Sequence, residues 1–311
     1  MADADRGRAQ IESAILEFPN LVPQEIDLSQ FMDEEEIVRV RDASQYKEMV
    51  RRLMLGELDK GYALPFTSMS GNFEFRPSEM TIWAGYKGHG KSSIIGQVLQ
   101  TMMGDYAHKV FIISPEFPPH KVVHKMMVQF LSTRHPNNDE FDEFFEVMKK
   151  CLWVYDQQRS IKPNTIIPLC RYAVEKLGVK HILIDSLMKC GISPEDYGAQ
   201  KQFVDRLQNI AHISDVHIHL VAHARKGRDD HAIGSLHDIK GTSEIADMAE
   251  NVVFVWRNKN KELHPGDESK SKEPDAIIKV EAQRNGEGWI GEVNLNYNKL
   301  TMKFNDWKDG I

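Results

Sequence analysis

The sequence predicts an α/β fold, in which a largely parallel central sheet is flanked by helices and preceded by a short helical N-terminal segment. Three observations predict it. Gly85-Tyr86-Lys87-Gly88-His89-Gly90-Lys91-Ser92 matches the phosphate-binding loop G-x-x-x-x-G-K-[ST] at every fixed position. The loop sits between an apolar run, Met80–Ala84, and a helix-like run, Ser93–Leu99. Beyond it, short apolar stretches alternate with helical ones, the pattern of a parallel sheet covered on both faces.

The elements follow in order. Residues 1–70 form an N-terminal arm with the acidic cluster Asp33–Glu36 and one amphipathic helix, roughly Ala43 to Leu58. There Tyr46, Met49, Val50, Leu53 and Met54 recur at helical spacing, a stripe that must pack on this domain or on a neighbouring subunit. Residues 71–311 form the α/β domain. Strands are predicted at 80–84, 109–114, 151–155, 181–185, 217–222, 251–256 and 276–282. A last strand, 289–296, returns through the turn Asn285-Gly286-Glu287-Gly288. Helices are predicted at 120–131, 164–177 and 200–211, and the polar stretch 259–275 reads as a mobile loop. There are no internal repeats.

Bulk properties exclude several classes. The 311 residues are 41% hydrophobic, enough for a substantial core, and the formal net charge is −7. Nucleic acid would therefore have to meet a local basic patch or an assembly that concentrates one. Cys151, Cys170 and Cys190 show no paired spacing and read as reduced thiols of a cytoplasmic protein. No apolar run approaches the ~20 residues that span a bilayer, and the acidic start lacks a signal-peptide core.

The chemistry gathers behind the loop. Backbone N–H groups around Gly85, Gly88, Gly90 and Ser93 face phosphate oxygens, Lys91 reaches the β/γ-phosphates, and Ser92 ligates Mg²⁺. Asp185, closing an apolar strand, has the type and place of the second Mg²⁺-linked carboxylate. Glu116, just past the 109–114 strand, lies where carboxyl strand ends converge and can polarise a water. His223 follows the 217–222 strand and can hydrogen-bond a γ-phosphate. Although His217, His219 and His223 alternate onto one strand face, they lack acidic or Cys partners for a metal. Two glycine-containing basic loops suit a nucleic-acid backbone: Arg225, Lys226 and Arg228 in one, Lys240 and Gly241 in the other.

In order, GYKGHGKSS, SPE, HILIDSL, VAHARK, IKGTSEIADMAENVVFVWRN and AQRNGEGWIGEVNLNYN resemble the DnaB-like replicative helicases, over about residues 78–305. That group has a RecA-like core, forms rings, and includes phage primase-helicases and the mitochondrial helicase Twinkle. The resemblance implies Glu116 as the carboxylate that activates water and His223 as a γ-phosphate sensor. It also implies Arg284 as an arginine finger reaching a neighbour's site, and Arg257 and Tyr297 as contacts to the base. The implied cofactors are ATP or another NTP or dNTP, with Mg²⁺. The implied partners are single-stranded DNA and further copies of the chain, most naturally six, with a separate primase, loader or polymerase. Travel would be 5′→3′, in a bacterial or phage-infected cytoplasm in preference to an organelle matrix. Many relatives carry Lys two residues before the finger. Ala282 stands there, so Lys279 or another residue must substitute. No primase signature or zinc-ribbon spacing is present, and priming is not expected.

Two other readings stay open. A RecA/KaiC-like ATPase would bind DNA or protein as a switch without unwinding, and a small-molecule kinase would need a lid and an acceptor pocket.

Overall fold

The computed structural model describes residues 42–308, apart from 59, 158, 225–232, 240–242 and 287. Its centre is a nine-stranded sheet. The strands are β3 (Met80–Ala84), β4 (Val110–Ile113), β5 (Leu152–Tyr155), β6 (His181–Ile184), β7 (His217–Val221) and β8 (Asn251–Arg257), then β9 (Ala276–Gln283), β10 (Gly291–Asn298) and β11 (Lys303–Asp306). Their order is β11-β10-β9-β8-β3-β7-β6-β4-β5. From β8 to β5 all pairings are parallel, while β9, β10 and β11 add as antiparallel strands. Every residue of β3, β4, β6 and β7 is buried. Continuous apolar, β-branched runs suit strands covered on both faces, whereas β9 alternates as a strand with one open face does.

The helices are α1 (Lys47–Met54), α2 (Lys91–Gly104), α3 (Pro119–Leu131), α4 (Asn138–Met148), α5 (Pro163–Tyr172), α6 (Tyr197–Ser214), α7 (Ser243–Met248), α8 (Lys259–Leu263) and α9 (Glu268–Ser271). One face of the sheet packs Ile82, Ile182, Ile218 and Phe254 against Ile166 and Leu169 of α5, Phe203 and Leu207 of α6, and Ile245 of α7. The other packs Trp83, Ile112, Leu183 and Val253 against Ile95 and Val98 of α2, Met126 of α3 and Phe144 of α4. The predicted doubly covered, largely parallel sheet is thus present.

Local differences from the expectations have physical causes. The amphipathic helix stops at Met54 because Gly56 adopts φ +65°, and its first turn, Ala43–Tyr46, is a 3₁₀ turn capped by Asp42. The segment 259–275 holds two short helices instead of a loop, because Asn258 and Asp267 each cap one through their side chains. The sequence reading misses α4, which a reciprocal cap between Asn137 and Glu140 starts. It also misses β11 and the small hairpin of β1 (Tyr62–Ala63) with β2 (Glu74–Phe75).

The histidines of β7 separate. His217 and His219 are buried in the sheet, where Thr81 Oγ1 is 2.9 Å from His217 Nε2 and Trp83 Nε1 donates to His219 Nδ1 at 3.1 Å. His219 continues to His181 at 3.1 Å and His181 to His108 at 3.0 Å. The indole can only donate, so His219, His181 and His108 each carry the proton on Nε2, and the row runs donor to acceptor in one direction. His223 lies beyond the strand. Among the described residues no group of three or more His, Cys, Asp or Glu is arranged to hold a metal, and His217, His219 and His223 do not form one.

Candidate functional site

Carboxyl ends of adjacent parallel strands converge in one cleft. The 85–92 loop leaves β3, Ser114–Glu116 leave β4, Asp185 and Ser186 leave β6, His223 follows β7 and Arg257 ends β8. The loop needs its glycines. Gly85, Gly88 and Gly90 have φ of 148°, 80° and 87°, and a Cβ on Gly85 would stand 2.3 Å from the Val255 carbonyl oxygen. Gly90 opens α2, whose first-turn N–H groups make an anion cradle. Ser93 lies in that turn, with its own N–H bonded to the Gly90 carbonyl at 3.0 Å.

Lys91 is 6% exposed and lays its ammonium back on the Gly85 and Tyr86 carbonyl oxygens at 2.7 and 3.0 Å. Burial lowers its pKa to about 8, against the opposing pull of Asp185 and Glu116. Ser92 Oγ donates to Asp185 Oδ2 at 2.7 Å. Two hard oxygen donors meeting in this way suit Mg²⁺. Asp185 is 3% exposed, and burial raises its pKa.

Glu116 Oε1 receives Ser186 Oγ at 2.9 Å and lies 2.9 Å from His223 Nε2. The hydrogen bond from His223 brings its pKa down to about 2; burial opposes this, and Ser186 and Lys91 assist. Glu116 is therefore ionised, and His223 Nε2 carries the proton between them. Ser186 Oγ is also 3.3 Å from that nitrogen. Sequence reasoning misses Ser186, although its place directly after Asp185 was the available signal.

Beside the loop, the Arg257 guanidinium lies 4.5 Å over the Tyr297 ring, and Tyr297 packs on Phe304 at 4.7 Å. Arg257 N donates to His89 Nδ1 at 3.1 Å and Nε to Glu262. The Phe304 ring edge is 3.2 Å from where a Gly90 Cβ would stand, which joins this aromatic ledge to the loop.

Arg284 is placed elsewhere. It is exposed just past β9, whose Gln283 pairs with Asn251 at the start of β8, so it lies at the opposite end of the strands from the cleft. Arg284 N donates to Glu250 O at 2.8 Å, its guanidinium bonds Asp247 O, and Asn285 Nδ2 holds Glu79 at 2.8 Å. Lys279 is not beside it. It sits in mid-strand opposite Phe254 and pairs with Glu281 at 2.6 Å. Arg225, Lys226, Arg228, Lys240 and Gly241 lie outside the described residues. Their described flanks, Ala224 and Ile239, pair with each other, and Ala224 N donates to Gly85 O at 3.1 Å.

A family model described as DnaB-like helicase C terminal domain matches residues 68–306. Among solved structures, one described as an ATPase domain aligns with a TM-score of 0.68 at 16% identity, covering 86% of this chain and 100% of that one. Another, of a DnaB-like replicative helicase described with its interactions with primase, aligns at 0.66 and 15% identity, over 98% of this chain and 77% of that one. These two likenesses concern the fold. No helix among the described residues is long and apolar enough to cross a membrane.

Proposed function

Since the chain belongs to the DnaB-like helicase family and has its nucleotide-hydrolysing, RecA-like ATPase fold, we propose that it is a replicative DNA helicase. It works as a ring, most simply of six subunits, that draws single-stranded DNA 5′→3′ through its channel. The observation that carries this reading is the split between the two ends of the parallel strands. Lys91, Ser92, Asp185, Glu116 and His223 gather at one, while Arg284 stands at the other. β8 spans seven residues between them, about 20 Å at strand rise, so Arg284 serves a neighbour's nucleotide and not its own.

In each interface Lys91 and the loop N–H groups hold the phosphates, and Ser92 and Asp185 hold Mg²⁺, which when bound neutralises phosphate charge. Arg257 and Tyr297 flank the base. Glu116 orients the attacking water. A carboxylate with a pKa near 2 is a weak base, so His223 must loosen from it to raise its basicity. A γ-phosphate that takes over the His223 N–H does this, and the same histidine lies one residue before Ala224 and the basic 225–228 loop. Occupancy of the site is thereby passed to the strand-binding residues Arg225, Lys226, Arg228, Lys240 and Gly241.

Residues 1–70 close the ring. The stripe of α1 leaves Met49 58% and Met54 83% exposed beside Lys47, with Arg51 and Arg52 ion-paired to Glu48 and Glu57. On α4, Phe141 and Phe145 are exposed among Asp139, Asp142, Glu143 and Glu146, a complementary face for a neighbour's α1. A separate primase is a natural partner, since one of the similar helicases is described with its interactions with primase. The setting is cytoplasmic. A forked duplex with a 5′ single-stranded tail, incubated with protein, ATP and Mg²⁺, tests the proposal. It is expected to be unwound; DNA-stimulated hydrolysis that leaves the fork intact would support the switch reading instead.

A further inference from the structure

A second lysine looks into the nucleotide cleft. β8 ends at Arg257, and the next residue, Asn258, is buried at 4% exposure. Asn258 N bonds Asp275 O at 2.8 Å, its Nδ2 bonds Glu273 at 2.7 Å, and its Oδ1 caps α8 through Lys261 N at 2.9 Å. These bonds fix the backbone from which Lys259 springs as the first residue of α8. The Lys259 ammonium donates to the Lys87 carbonyl at 3.3 Å and stands 3.6 Å from where a Cβ on Gly88 would be. It overhangs the rim of the phosphate cradle.

It also lines a cavity of about 690 Å³ together with Tyr86, His89, Glu116 and His223. Among the described residues Lys259 makes no ion pair, whereas its neighbour Lys261 is matched to Asp275 at 2.8 Å. Its charge contributes to the lowered pKa of Lys91, after burial, so the two ammonium groups share one electrostatic environment. Two ammonium groups held in one half-buried cleft favour a polyanion there, beyond the charge that Asp185 and Glu116 supply. A triphosphate is such an anion, and the charge it develops in phosphoryl transfer rewards cations already held in place.

We propose that Lys259 is a second catalytic lysine, touching the triphosphate from the same subunit as Lys91 and countering charge on the transferring phosphoryl group. The proposal rests on the nucleotide-site reading above. Lys259→Gln decides it, because the amide can still donate to the Lys87 carbonyl but carries no charge. ATP turnover by the full-length chain is measured for the wild type, Lys259→Gln, Lys259→Arg and Lys91→Ala, with ADP affinity and thermal midpoint as controls. The expected result is a fall in kcat of more than about tenfold for Lys259→Gln, with ADP affinity and midpoint retained and most of the rate recovered in Lys259→Arg. A kcat for Lys259→Gln within about tenfold of wild type overturns the proposal, since Lys259 then serves only as a tether. Lys91→Ala separates the two failures: if it hydrolyses ATP normally, the nucleotide-site reading itself has failed.

Discussion

Two residues fix how the cleft responds to pH and to substitution. Glu116, with a pKa near 2, is ionised in the free protein at any working pH, so the acid limb of the kcat/KM profile, which reports the free enzyme, does not report it. Glu116→Gln is expected to lower kcat by at least about a hundredfold while leaving nucleotide binding, measured by fluorescent-analogue titration, in place. Equal loss of binding and rate would contradict its assigned role. For Lys91 the sign is opposite to that of a carboxylate. Its pKa is lowered to about 8, so the free protein loses this cation as pH rises through 8. Nucleotide affinity should weaken there, and calorimetry in buffers of different ionisation heat should show proton uptake on binding near pH 8. A pH-independent affinity from 7 to 9 would rule that out. Gly85, Lys91, Ser92 and Asp185 were legible in sequence because their chemistry depends on spacing and strand ends. Ser186 and Lys259 were not: a serine after an aspartate, or a lysine in a charged stretch, shows its place in the cleft only once the fold is known.

The elements divide in the same way. Strands β3, β4, β6, β7 and β8 could be read from the sequence because burial on both faces demands unbroken apolar runs. The segment 259–275 could not, because its two helices depend on single capping side chains within a polar background. Bare alternation could not distinguish a metal-ligand row from the buried row of β6 and β7, since it does not say which histidines meet. That row makes a prediction about stability. Burial lowers the pKa of His217 to about 4 and those of His181 and His219 well below their ordinary value. The unfolded chain takes up these protons below about 6.5 and the folded one does not. Stability is therefore complete above about pH 6.5 and declines as pH falls towards 4. Denaturant midpoints at pH 7, 6 and 5 should fall in that order, and a flat series would refute the buried, neutral row. The stripe of α1 makes a prediction about assembly. Leu53 is 49% exposed, so Leu53→Glu should leave the thermal midpoint within a few degrees of wild type and abolish higher oligomers in sedimentation. Unchanged assembly would remove α1 from the interface.

At the scale of the whole molecule, the net charge of −7 and a strand-binding role are compatible, because a ring concentrates a few loop cations from each copy in one channel. Sequence alone orders the motifs along the chain. It cannot show that Arg284 and Lys91 face away from each other, which follows from β9 running antiparallel to β8. On the proposed finger role of Arg284, that geometry leaves a single subunit incomplete. The most direct measurement is ATP turnover in equimolar mixtures of Lys91→Ala and Arg284→Ala, each nearly inactive alone. Random assortment pairs an intact cradle with an intact finger at about a quarter of interfaces, so the mixture should turn over ATP well above the sum of its parts. A mixture that never exceeds that sum, in rings shown to contain both variants, would mean that each subunit hydrolyses nucleotide unaided.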